Sequence, residues 1–145
     1  MKAETCQGCH QTPNPENIRI KLVADYDGDG DATEGIFGEV ETLTEKLYEA
    51  LKEKSVEQGN PLVYDAHAYP YFFNDTNANG TGDTEEINVP NGYKSWTPRL
   101  LKAAYNLQYA MKDPGAYAHN GTYILQVLYD AIQDVGGDLT GLVRP

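Results

Sequence analysis

Two cysteines and a histidine stand together near the start of the chain, as Cys6-Gln7-Gly8-Cys9-His10. Thiols at this spacing reach the two vinyl groups of one porphyrin, and the adjacent imidazole then falls beneath the iron as an axial ligand. The motif predicts one covalent c-type haem, anchored through Cys6 and Cys9, with His10 on the iron. No other cysteine is present, so no wider disulfide framework competes. Two other chemistries use similar spacing. A redox disulfide of the thioredoxin kind opens a helix after a buried strand, and no strand-like run precedes Cys6. Half of a zinc site needs a second cysteine pair or nearby histidines, and His67 and His119 are remote and isolated.

An iron that only carries electrons takes a second axial ligand. The choices are His119, His67, Met111 and Met1. His119 follows Asp113-Pro114-Gly115, read as a connection between two helices, where a side chain can fold back on a cofactor. His67 lies in the aromatic loop Tyr64-Asp65-Ala66-His67-Ala68-Tyr69. Met111 falls on an apolar helix face, where methionine more often packs than ligates. His119 is preferred and His67 comes next, with Met111 or an open position left as alternatives. Bis-histidine ligation implies a lower potential than histidine with methionine.

A second chemistry is written in acids. Asp75, Asn77, Asn79, Asp83 and Glu86 occupy positions 1, 3, 5, 9 and 12 of an EF-hand loop, with Gly80 at the sharp turn and Thr81 offering its carbonyl. Pro70 and Pro90 flank it and argue against helices on both sides. An earlier run, Asp25-Tyr26-Asp27-Gly28-Asp29-Gly30-Asp31, opens in the same way. Its twelfth position is Ile36, which cannot bind a cation. Glu34, or Glu39 from the first turn of the next helix, is expected to close the site. Turn-forming propensity alone accounts for Asp and Gly here, but acids packed this densely repel one another without a cation. Both loops, 25–39 and 75–86, are therefore expected to bind calcium in a structural role.

These sites need elements to hold them. Ile18, Ile20 and Leu22 alternate as a short strand would. Ile36 to Lys54 is helical, with Val40, Leu43, Leu47 and Leu51 on one face, and Gly59 and Pro61 end it. Residues 62–91 read as an aromatic loop. Thr97 as N-cap and Pro98 at the first position start a helix carrying Leu100, Leu101, Ala104, Leu107 and Met111. Another runs from about Asn120 to Val135, with Ile124, Val127, Leu128, Ala131 and Ile132 inward, so that the helical pair spans about 97–135. Gly137 onward reads as a tail. The expected fold is one mainly α domain over 1–145, with three principal helices, long ion-binding loops, a short strand and the haem near the N-terminus.

Bulk properties narrow the partners. The formal charge of −11 excludes a nucleic-acid stripe and an anionic membrane surface. No apolar run approaches the roughly 20 residues of a bilayer span. The polar start at Met1 has no signal-peptide pattern, whereas c-type haem attachment normally follows export. A periplasmic or extracellular location after removal of a leader is expected, the alternative being a cytosolic protein that begins at Met1.

Beyond its motifs, the chain resembles the C-terminal part of large multihaem c-type cytochromes. The resemblance runs through Trp96-Thr97-Pro98-Arg99-Leu100-Leu101-Lys102-Ala103-Ala104-Tyr105-Asn106, through Lys112-Asp113-Pro114-Gly115-Ala116-Tyr117-Ala118-His119-Asn120, and through Tyr69-Pro70-Tyr71-Phe72-Phe73 with the acidic loop. It implies export, electron movement between haems, and a ligand role for His119. Such proteins carry many C-x-x-C-H sites and this chain has one, so a piece of a longer protein and a single-haem relative both remain open. The function expected is electron transfer to redox proteins or neighbouring haem domains. The rival is a haem-free calcium module with a Cys6–Cys9 disulfide. A weaker third reading is an enzyme subunit whose open iron position reduces a small oxyanion, but the sequence holds no independent catalytic set.

Overall fold

Three long helices pack against one another around a leucine-rich core, in a computed structural model that describes residues 3–5, 7–19 and 24–145. The first element, α1 (Gln7–His10), is a single turn. The second, α2 (Ile36–Glu57), buries Ile36, Val40, Leu43, Leu47, Ala50 and Leu51, the three- and four-residue spacing that the sequence predicts. Leu43, Leu47 and Leu51 are fully enclosed. Each such side chain stabilises the fold by about 1.5–3 kcal/mol relative to exposure. The predicted strand at Ile18, Ile20 and Leu22 falls partly outside the described residues, since 20–23 are not among them. Ile18 itself is in no strand, and its carbonyl accepts the Ile36 N–H at 3.3 Å.

The helix α2 ends where Gly59 takes φ +72°. Buried Ser55 then ties the helix end to the next element, donating to the Lys52 carbonyl at 2.7 Å and accepting the Leu62 N–H at 3.0 Å. Residues 62–91 are not the continuous loop that the sequence suggests. Strands β1 (Leu62–Tyr64) and β2 (Phe72–Asn74) pair antiparallel, with Val63 opposite Phe73. The runs are short, and Tyr64, Phe72, Tyr93 and Trp96 stack at steep angles behind them. That packing supplies what three-residue strands lack by themselves.

Helix α3 (Pro98–Lys112) starts as expected, with the Thr97 hydroxyl accepting the Leu100 N–H at 3.3 Å. Its buried face is Leu100, Ala103, Ala104, Leu107 and Ala110. Leu101 and Met111, expected inside, are 50% and 45% exposed. The alanines let α3 lie close to its neighbours, and this rotates both larger residues outward. Helix α4 (Ala116–Val135) begins a turn earlier than expected and kinks at Asn120 (φ −159°, ψ 68°). The Asn120 side chain accepts the Tyr123 N–H at 3.3 Å and caps the second segment. Inside lie Ile124, Leu125, Leu128, Ala131 and Ile132, while Val127 is only half-buried. Residues after Gly137 are no loose tail. Leu139 and Leu142 pack on the core, Val143 donates to the Tyr26 carbonyl at 3.0 Å, and Arg144 grips Asp130 at 2.7 and 3.0 Å. No helix among the described residues is long and apolar enough to cross a membrane.

Candidate haem segment and cation loops

Of the haem motif, Cys6 lies outside the described residues. Cys9 and His10 are both exposed on α1, no residue of which is buried. Gln11 turns the chain away with φ +59°. A thiol and an imidazole side by side on a solvent-facing turn suit covalent haem attachment, since neither is committed to the core.

Of the remaining ligand choices, Met1 lies outside the described residues, and His119, His67 and Met111 are surface groups. His119 stands in the first turn of α4 rather than in a connection, with its side chain 75% exposed and Nδ1 3.9 Å from the Asp113 carboxylate. Gly115 gives that ring room, because a Cβ there would come within 2.9 Å of His119 Cε1. His67 sits in the β1–β2 turn, where Asp65 accepts its backbone N–H at 2.7 Å. Met111 borders a groove of about 320 Å³ whose apolar walls are Phe37, Val40, Ala110, Ala116 and Tyr117.

The first acidic loop is wedged into the molecule. Asp27 and Glu39 are fully buried. Carboxylate oxygens of Asp25, Asp27 and Glu39 come within 4.8 Å of one another, and so do those of Asp27, Asp29 and Glu34. Along the loop each aspartate bends the chain by accepting an N–H ahead of it. Asp25 takes those of Gly28 and Gly30 at 2.6 and 2.8 Å, Asp27 takes that of Asp29 at 3.1 Å, and Asp29 takes that of Asp31 at 2.7 Å. Asp31 stands apart from both carboxylate groups and caps Thr33. Glu39 accepts the N–H groups of Tyr26 and Asp27 at 2.8 and 3.0 Å, and Arg19 pairs with it at 2.6 Å.

Two oxygens in this loop are buried without a hydrogen bond, Oδ2 of Asp27 and Oε1 of Glu34. Oε1 of Glu39 also lacks hydrogen-bond geometry, but the Arg19 guanidinium beside it supplies the compensating charge. Burial, then repulsion from Asp27, Asp29, Glu39 and Asp31, pushes the Glu34 carboxyl up to about 7. Burial raises Asp27 as well, against the easing effect of the Asp29 N–H and of Thr42 beside it.

The second loop is built differently. Asp75 accepts the Asn79 N–H at 3.2 Å and the Gly80 N–H at 2.8 Å. Asn77 and Asn79 both donate to Asp83, at 2.8 and 2.9 Å. Glu86 accepts from the N–H and hydroxyl of Thr76, each at 2.7 Å, and its pKa is held down first by that hydroxyl. Thr81 gives its N–H to Asn79 at 2.7 Å. The loop leaves β2 and runs into a 3-10 turn at Val89–Asn91, so no helix pair flanks it.

Three residues around the first loop escape a reading by motif. Arg19, also bonded to the Glu34 carbonyl at 2.8 Å and to the Ala24 carbonyl, lies in a segment without helical periodicity. Gly38 makes room for the Glu34 carboxylate, and Gly35 for the crossing backbone at Glu16. A lone arginine upstream of an acid-rich run is the one signal that could have pointed to them.

No protein-family model matches the chain, and no solved structure does. The C-type polyheme cytochrome OmcB of Geobacter sulfurreducens is 33% identical over 152 aligned residues, which take in 88% of this chain and 20% of OmcB. OmcC of the same organism is 31% identical over 88% of this chain and 19% of its own length. The chain thus spans about one fifth of the length of the curated relatives it matches. Over most of its length, then, the chain belongs with the large multihaem c-type cytochromes, as a relative of one domain-sized stretch of them.

Proposed function

We propose that this chain carries one c-type haem on Cys6 and Cys9, with His10 as axial ligand, and serves as an electron-transfer domain whose two acidic loops bind calcium. The observation that carries the reading is the C-x-x-C-H motif of a chain similar to C-type polyheme cytochromes, with Cys9 and His10 exposed side by side. Haem bound there supplies a one-electron iron couple. The protein's part is to anchor the ring through two thioethers and to set the potential through the second axial ligand.

His119 is the preferred second ligand. Its ring is exposed, and Asp113 lies where a carboxylate can orient an imidazole that donates its other nitrogen to iron. His67 is the alternative. A net charge of −11 favours basic redox partners or a neighbouring haem domain. Haem attachment of this type follows export, to the periplasm or the cell exterior. The role is that of a carrier rather than an enzyme.

Visible spectra of oxidised and reduced protein, produced with haem-competent export, test the reading together with a denatured pyridine derivative. Sharp reduced α and β bands with haem retained after denaturation are expected. The lack of a sulfur-to-iron charge-transfer band is expected too, and His119→Ala should alter the spectrum where His67→Ala does not. Protein that emerges from such expression without haem absorbance would sink the proposal.

A further inference from the structure

Two overlapping carboxylate groups share Asp27 in the first loop, and they are not equivalent. In one, Asp25 has both oxygens turned to backbone N–H groups, and Glu39 faces two N–H groups and the Arg19 guanidinium. Positive charge is already supplied there. Asp27, common to both, is fully buried with Oδ2 lacking a hydrogen bond, and in the second group Glu34 presents a buried oxygen in the same condition with no guanidinium paired to it. Burying an anionic oxygen with neither donor nor counter-charge is strongly unfavourable. Gly38 lacks the Cβ that would collide with the Glu34 carboxylate. The backbone thus leaves Glu34 a place against α2, in a cleft of about 390 Å³ that it lines with Glu16, Asn17 and Thr33.

We infer that the first loop holds one divalent cation between Asp27, Asp29 and Glu34, and that Glu39, paired with Arg19, is a positioning residue that hangs the loop on α2 instead of a ligand. The inference rests on the calcium half of the reading above and is independent of its haem half. Three carboxylates suit a hard cation that takes six to eight oxygens, with backbone carbonyls and water to complete the shell. Arg19, Ile18 and Glu16 all meet this junction. The cation therefore closes the loop on which the segment following the haem motif and the start of α2 meet.

Thermal unfolding and calcium titration of Glu34→Gln against the parent test this, on protein as exported, in chelator and in calcium. A calcium ligand that is an uncompensated buried acid gives a crossover. In chelator the variant should melt at or above the parent. In calcium it should melt below the parent, with affinity at one site reduced tenfold or more. Equal calcium affinity would overturn the assignment, and so would a variant that is less stable than the parent even in chelator. Colourless protein that still shows the crossover would count against the haem alone, and red protein without it would count against the cation alone.

Discussion

The two acidic loops share a sequence opening and differ in what surrounds them. The loop at 75–86 projects beyond a two-stranded hairpin, and its own amides and hydroxyls satisfy its acids. Asp75, Asp83 and Glu86 accept from Asn79, Gly80, Asn77 and Thr76, and Glu86 also from the Asp83 N–H. The loop at 25–39 sits where the segment after the haem motif, the start of α2 and the C-terminal stretch converge. It has aspartates where the other has asparagines, so those positions offer no amide donors and its buried acids draw compensation from elsewhere. Asparagine for aspartate is therefore more than a turn preference. It decides whether a loop carries its own hydrogen-bond donors or leans on a charge from outside it, as Glu39 does on Arg19.

The largest expected effect comes from removing the compensation that the chain itself supplies. Glu39 is fully buried and Arg19 is 14% exposed at the side chain. Arg19→Ala leaves Glu39 buried and unpaired, and breaking a buried pair from one side costs about 3–5 kcal/mol. For a chain of this size that lowers the melting midpoint by roughly 6–20 °C, at about 2–4 °C per kcal/mol. Calorimetric melting checks it. A loss below about 1 kcal/mol, the ceiling for an exposed ion pair, would place the first loop alongside the second, as a self-sufficient turn.

What the sequence makes legible divides along the same line. The second loop's internal hydrogen bonds among Asp75, Asn77, Asn79, Gly80 and Asp83 are legible from spacing, because a motif closed within twelve residues is local by nature. The face of α2 is legible for the same reason, since Val40, Leu43, Leu47 and Leu51 repeat with the helix. Long-range contacts leave no such trace. Arg19 reaches Glu39 across twenty residues of sequence, and the Val143 N–H returns to Tyr26 from the far end of the chain. The hairpin escapes a reading by pattern because runs of three residues carry no periodicity. Met111 turns outward against expectation because alanines at 103, 104 and 110, rather than the largest residues, mark the face that α3 turns inward.

Matched glycines give an intermediate effect. Gly28 and Gly80 share a left-handed φ, at +75° and +76°. An alanine at either position bears the left-handed penalty of about 1–2 kcal/mol. At Gly80 nothing lies within 4 Å of the added Cβ, whereas at Gly28 it meets the Gly141 backbone carbon at 2.8 Å. Overpacking costs about 1–3 kcal/mol, so Gly28→Ala should be the more destabilising by at least about 1 kcal/mol. Only that variant should displace the C-terminal stretch. Faster hydrogen exchange at the Val143 amide in Gly28→Ala, with no change in Gly80→Ala, is the expected result. Equal exchange in both would show that the first loop does not lean on that stretch.

The smallest effect is expected in the self-sufficient loop. The Asn77 amide donates to Asp83 at 2.8 Å and its oxygen accepts the Asn79 N–H at 2.9 Å. Asn77→Ala removes both, but Asn79 still donates to Asp83 and solvent reaches the exposed groups. The loss in chelator should be about 1 kcal/mol or less, in keeping with the net worth of exposed hydrogen bonds. On the proposed calcium role the loss should be larger in calcium, because the same amide oxygen would be a ligand at the loop's third position. Paired melts in the two conditions measure that difference. A loss that is identical in both would mean that this loop is closed by its hydrogen bonds alone, leaving the first loop as the place where a cation adds stability.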